Sequence, residues 1–254
     1  MQRLESELDE PLFEREHHRV TLTAGGEAFR RHATTVLEEW HRFAAERAPH
    51  HGALLGTVHV YCTVTAAQSI VPDLLGRVRR THPGVRIELA TGYAADAIEQ
   101  LRGGDIDVSV AALPEQLPAG IVSRLLTTTP VVFVGPTIDG PVRDAVRRRT
   151  IDWSTLPLVL PAYGLARDYV ERWLDQRSVT PAIYAEIQGH EAILSVVALG
   201  CGVGVVPRLV LENSALRDRI VEIPVRPPLR QFRIGLCVRE RSLANPLVTA
   251  VWEA

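Results

Sequence analysis

No lysine occurs in the 254 residues, so all 28 basic side chains are arginines. A uniform choice of this kind reads as genome composition bias rather than as chemistry. The arginines face 30 acidic residues, for a formal net charge of −2. That excludes a global basic field, so any contact with nucleic acid must come from a local patch. Cysteine is scarce. Cys62, Cys201 and Cys237 are odd in number and sit in apolar runs, so they read as reduced core thiols of a cytosolic protein rather than a disulfide framework. No apolar run reaches the roughly 18 residues a membrane span needs. The charged start MQRLESELDE has no apolar signal core, which argues against secretion. These absences predict a cytoplasmic protein with no membrane partner. What remains is 46% hydrophobic and 23% charged, an ordinary globular composition with room for two small domains or more.

The chain is organised around Gln188–Pro207, QGHEAILSVVALGCGVGVVP. Ala192, Ile193, Val196, Val197 and Leu199 recur at helical spacing. Gly200 stops that helix, and Val203, Val205 and Val206 read as a short buried strand ended by Pro207. A turn at Gln188–His190, then a helix, then a strand, is a layout that can hold a small anion at the helix start. An ordinary core unit has the same pattern.

The first fifty residues read differently. Gln2–Leu8 looks like the end of a helix, with Leu4 and Leu8 on one face and Pro11 closing it. PLFEREHHRVTLT predicts a β-hairpin whose Arg15 and Arg19 bracket His17-His18. Its basic tip either touches a phosphate backbone or is simply solvated. Thr23 is a good N-cap for a long helix to Arg47. Phe29, Ala33, Val36, Trp40 and Phe43 form a heptad seam on it, which packs on a second copy or on its own domain. His50-His51-Gly52 reads as a hinge. Neither histidine pair has the ligand spacing of a zinc site, so no metal is expected. Cys201, between two glycines, has no positioned base and is a poor nucleophile. The expectation is therefore no enzyme and no cofactor.

From Gly56 strands and helices alternate. Strands are expected at 57–62, 85–90, 106–111, 131–134, 158–160, 182–187 and 232–238. Helices are expected at 65–80, with Pro72 either tolerated in its first turns or kinking it, and at 94–102, 142–148, 166–176 and 245–252. This βαβ order requires a mainly parallel sheet. Two α/β halves joined by crossing strands leave a cleft, with strand C-termini facing it.

RLESELDEPLFEREHHRVTLTAGGEAFRRHA, residues 3–33, resembles the C-terminal half of the winged helix-turn-helix of LysR-type transcriptional regulators, followed by their linker helix. The remainder resembles the effector-binding domain of that family, which shares its fold with type 2 periplasmic binding proteins. The resemblance implies an α/β fold class: a partial winged helix-turn-helix at 1–22, a linker and dimerisation helix with hinge at 23–51, and a two-subdomain effector domain at 52–254. Subdomain I would comprise about 52–129 and 231–254, subdomain II about 130–230. It implies double-stranded DNA as a partner through Gln2 and Arg3, late in the recognition helix, and through Arg15, Arg19 and Thr21 on the wing. It also implies a homodimer or homotetramer, with RNA polymerase as a further partner left open. The sequence departs from the family pattern in lacking the earlier helices of the helix-turn-helix. The 49 residues before His50 hold seven arginines against ten acidic residues. A start site set too far downstream, or a truncation, is the expected reason.

CTVTAAQS at 62–69, TGYAADAIE at 91–99, DWSTLP at 152–157 and GHEAILSVVALGCGVGVVPRLVLENS at 189–214 carry a narrower resemblance. They look like the effector domain of an activator of isoleucine and valine synthesis. Its inducers, acetolactate and acetohydroxybutyrate, are small 2-hydroxy-3-keto acids, and its target is the gene for ketol-acid reductoisomerase. Such a carboxylate needs donors. Thr63 and Thr65 offer hydroxyls and Ala66 an amide, although Thr65 serves equally as a helix cap. Gly92 and Tyr93 follow the second strand and either approach a ligand or lie on the surface. Gly164 ends a strand, and Arg167 either grips a carboxylate or is ion-paired. Gly189 and His190 open the organising helix. His190 either bonds a hydroxyl or ketone oxygen or is a satisfied helix-start histidine, which Glu191 would orient. The alternative function is a solute-binding protein for a small carboxylate.

Overall fold

The structure is a computed structural model that describes residues 2–16, 19–47 and 54–254. The histidine pairs 17–18 and 50–51 and the expected hinge at 50–52 lie outside the described residues.

Helix α1 (Gln2–Leu8) leads into a hairpin of β1 (Phe13–Glu16) and β2 (Arg19–Leu22), with Arg15 opposite Val20 and Glu14 opposite Thr21. Glu5 ties the two together by accepting from the Leu12 and Phe13 amides at 2.8 and 3.3 Å, which seats Leu12 as a buried anchor. Thr23 caps α2 (Ala24–Arg47), its hydroxyl accepting from the Gly26 amide at 2.9 Å. Val36, Trp40 and Phe43 of the expected seam remain exposed in the single chain, Trp40 at 60%. Near its start α2 leans on the larger body, where Arg30 pairs with Asp105 at 2.5 Å.

That body opens with β3 (Gly56–Cys62), α3 (Val64–Ser69), α4 (Val71–Thr81), β4 (Val85–Thr91), α5 (Ala97–Gly103) and β5 (Val108–Ala112). The single helix expected over 65–80 is two. Ile70 is the turn residue between them, with φ stretched to −116°, and Pro72 sits in the first turn of the new helix, where its missing N–H is not needed. A 3-10 turn at Ala94–Asp96 likewise precedes α5.

Strand β6 (Ile121–Pro136) is followed by α6 (Pro141–Val146), β7 (Pro157–Pro161), α7 (Leu165–Asp175), β8 (Ala182–Ile187), α8 (His190–Ala198) and β9 (Val203–Pro207). Then come α9 (Arg208–Glu212), β10 (Ile220–Ile223), β11 (Gln231–Arg239) and α10 (Pro246–Glu253). The sheet order is β4-β3-β5-β11-β6-β9-β7-β8, with β10 against β6. β3 runs parallel to β4 and β5, and β7 parallel to β8 and β9. β6 joins the halves. Its residues up to Pro130 pair antiparallel with β11, and Val131 onward pairs with β9 and β10. The sequence expectation of four strand residues at 131–134 therefore catches a quarter of it. Strand β10 and helix α9 were not anticipated. One buried apolar core runs through both halves, from Val58, Val60 and Val238 to Leu158, Val170 and Val203, and the Phe133, Trp153 and Trp173 rings meet in it 4.6–5.1 Å apart.

Candidate functional site

A cavity of about 350 Å³ lies between the halves, at the small end of the roughly 300–1,000 Å³ typical of ligand sites. A second, inner lobe of about 40 Å³ adjoins it and shares Ala94, Ala112, His190 and Phe232. One wall is the end of β3 and the start of α3, with Thr63, Thr65 and Ala66 on the inner lobe. The 3-10 turn after β4 brings Tyr93 to the outer lobe. The opposite wall consists of the starts of α7 and α8. Each of these helices springs from a glycine at positive φ, Gly164 at +92° and Gly189 at +93°, a conformation that glycine adopts without a Cβ penalty.

His190, the first residue of α8, is 8% exposed and lines both lobes. Its Nε2 has no hydrogen-bond partner among the described residues. Burial holds its imidazole down at about 4, with the Glu191 charge pulling weakly the other way. The ring is therefore neutral near pH 7, ready to give or take one hydrogen bond. Phe232, buried on β11, meets it edge-on at 6.4 Å.

Thr63, not Thr65, caps α3, its hydroxyl accepting from the Ala66 amide at 3.1 Å. That bond engages the Ala66 amide, which the sequence offered to a ligand. Thr65 is buried, and both its amide and its hydroxyl donate to Glu191 Oε1, at 3.1 and 2.5 Å. Glu191 thus reaches across the cleft to Thr65 instead of orienting His190. A second bridge spans the outer lobe. Tyr93 Oη donates to the Tyr163 carbonyl at 2.5 Å, and Tyr163 Oη donates to Asp96 at 2.9 Å. Burial pushes the Tyr93 phenol up, and the bond to Asp96 does the same for Tyr163.

Two expected site residues lie elsewhere. Gly92 is exposed and packs on Tyr61. A Cβ there would fall 2.9 Å from the Tyr61 Cζ, so its small size serves that contact and not a ligand. Arg167 turns away from the cavity to Glu171 at 2.5 Å and Glu186 at 2.6 Å. Its ion-paired reading holds, and the i,i+4 spacing to Glu171 was the available signal. Thr63, Thr65, Ala66, Tyr93, Gly164 and His190 line the lobes, and Gly189 sets the start of α8. No arginine lines either lobe among the described residues, while Asp168 and Glu191 do. A carboxylate here would be held by hydroxyls, amides and helix starts. Sequence reasoning missed Phe232 and Asp96, which carry no local signature. Among the described residues no group of three or more His, Cys, Asp or Glu could hold a metal, and no helix is long and apolar enough to cross a membrane.

Residues 51–254 match the family model described as LysR substrate binding domain. The HTH-type transcriptional regulator IlvY of Escherichia coli (strain K12) is 39% identical over 256 residues, covering 100% of this chain and 86% of that protein. The HTH-type transcriptional activator IlvY of Haemophilus influenzae is 33% identical over 253 residues, covering 99% and 87%. Among solved structures, full-length OxyR from Pseudomonas aeruginosa superposes with a TM-score of 0.69 at 22% identity, over 100% of this chain and 85% of that one. At that identity the likeness concerns the fold.

Proposed function

The chain belongs to the LysR family of transcriptional regulators, and from that premise we propose that it is an activator which senses a small 2-hydroxy-3-keto acid in the cleft between its two halves. Membership in a family of regulators sets aside both an enzyme and a periplasmic solute-binding protein. The division we propose follows the family: wing to residue 22, linker helix and hinge to 51, effector domain from 52, with subdomain II from about 130 to 230.

One observation carries the sensing role. His190 Nε2 is buried and unpartnered on the wall of a cavity sized for a small molecule. An orphaned buried nitrogen costs about 1–3 kcal/mol, and a hydroxyl or ketone oxygen on a ligand would recover it. By likeness to the IlvY proteins, we assign acetolactate and acetohydroxybutyrate as effectors and the ketol-acid reductoisomerase gene as target. Thr63, Thr65 and Tyr93 would contact the acid from one wall, Gly164, Gly189 and His190 from the other. Gln2, Arg3, Arg15, Arg19 and Thr21 would meet double-stranded DNA. The exposed stripe of α2 would pair two copies in a cytoplasmic homodimer or homotetramer.

The test is calorimetric titration of the chain with acetolactate. Saturable heat in the wild type, lost in His190→Ala, is the expected result. No heat and no thermal shift at millimolar acetolactate would overturn the reading.

A further inference from the structure

The Thr65 amide and hydroxyl are the pair of donors that the site offers to a carboxylate, and a carboxylate of the protein already holds them. Resting on the effector reading above, we propose that Glu191 is a resident competitor for the effector's carboxylate, and that sensing is the exchange of one carboxylate for the other.

The geometry is specific. Glu191 Oε1 takes both Thr65 donors, 126 positions away in sequence and on the opposite side of the cleft. Thr65 is 5% exposed, so these donors have no ready substitute in bulk water. Glu191 itself is half-buried, which lets its long side chain swing toward solvent when displaced. Two anions cannot share the pair, because the donors are saturated by one and the second is repelled by the first. Among the described residues no arginine lines either lobe to pair with the second anion. His190, one residue before Glu191, lines the same lobe, and its Nε2 is buried without a partner among the described residues. An acid seated on Thr65 would place its hydroxyl or ketone within reach of that nitrogen.

The affinity of the site is therefore a difference between two carboxylates. The bond given up ties α3 to α8, so the exchange alters how the two halves are joined as well as filling a cavity. Glu191 tunes the sensor toward high effector concentrations, since an internal competitor lowers the apparent affinity of anything that must displace it.

The Thr65 amide supplies a direct readout. It is the second amide of α3 and has no intrahelical acceptor, so its protection from hydrogen exchange must come from Glu191. The experiment compares the full chain as wild type, Glu191→Gln and Glu191→Ala, by residue-resolved exchange at Thr65 and by acetolactate titration. In the absence of acetolactate, the amide should be protected in the wild type and fast in Glu191→Ala. Acetolactate should restore protection to Glu191→Ala. It should bind that variant on the order of tenfold more tightly than the wild type, as removal of a charge-assisted bond implies, with Glu191→Gln between. An unprotected Thr65 amide in the wild type, or protection unchanged in Glu191→Ala, would overturn the proposal while leaving the effector reading intact. So would acetolactate binding the wild type and both variants equally, or the variants more weakly. Exchange that follows the expected pattern without acetolactate, together with no acetolactate binding by any of the three, would overturn the effector reading and the exchange with it.

Discussion

Tyr93 and Tyr163 lock edge to face across the mouth of the cleft, with ring centroids 4.7 Å apart and the Tyr93 hydroxyl on the Tyr163 carbonyl at 2.5 Å. Tyr93→Phe keeps the ring contact and removes only the bond. The variant should lose about 1 kcal/mol of stability in urea unfolding, and the Asp168 amide, which donates to the Gly164 carbonyl at 3.1 Å at the start of α7, should exchange faster. Exchange there equal to the wild type would mean that the bond does not hold the cleft shut.

His190 should make stability fall in acid. Its folded value of about 4 lies below the ordinary histidine value of about 6.5, so the unfolded chain binds the proton more readily. The contribution is complete above pH 6.5 and is lost as pH falls toward 4, by an amount on the order of 3 kcal/mol. His190→Phe, which keeps a ring of similar shape, should flatten the urea-midpoint profile between pH 6.5 and 4. A slope identical to the wild type would place the acid sensitivity elsewhere.

Gly204 is fixed by close packing. A Cβ at this position on β9 would stand 2.7 Å from Ile193 Cγ2 and 2.8 Å from Val197 Cγ2, both on the buried face of α8. Gly204→Ala should therefore cost about 1–3 kcal/mol, seen as a lower urea midpoint at an unchanged slope. Because it shifts the helix that carries His190, acetolactate affinity should fall as well.

Arg167→Ala should leave acetolactate affinity within about twofold, well inside the tenfold that 1.4 kcal/mol represents. Its guanidinium is engaged by Glu171 and Glu186 outside the cavity. Both partners are half-exposed, which limits the stability loss to about 1 kcal/mol. A large loss of affinity in the titration would restore the carboxylate-gripping role that the sequence alone left open.

Arg15 and Arg19 should contribute to DNA affinity through phosphates. Replacing both with alanine in a chain carrying the complete helix-turn-helix should lower the slope of log affinity against log salt by about 2, since each phosphate contact contributes roughly 0.9. An unchanged slope would take the wing off the DNA.

The stretch 188–207 was readable from sequence because its apolar period and its glycines both act locally. Ile193, Val197, Val203 and Val205 are buried as the spacing requires and Gly200 closes the helix at φ +83°, whereas Ala192 and Leu199 of the same spacing are exposed and Leu194 and Ala198 are buried in their place. β6 was not readable over most of its length. Arg124 and Thr127–Thr129 interrupt the apolar pattern, because that half of the strand is satisfied by pairing with β11 more than by burial. The division of 65–80 into two helices was signalled by Pro72, but the position of the cap was not. Thr63 and Thr65 have the same chemistry, and only the partner across the cleft separates their roles. That partner, Glu191, lies 126 residues away, beyond any local pattern. Arg167 is the reverse case, since Glu171 sits one helical turn along and announces the ion pair.

A cleft lined by hydroxyls, helix starts, a neutral imidazole and the carboxylates of Asp168 and Glu191, with Arg167 held in ion pairs to Glu171 and Glu186, has a consequence in ionic strength. Short contacts between buried groups are screened little by salt, whereas contacts with a phosphate backbone weaken steeply as counterions accumulate. A cell whose internal salt rises would therefore loosen this regulator's grip on its operator while leaving its reading of the metabolite almost unaltered.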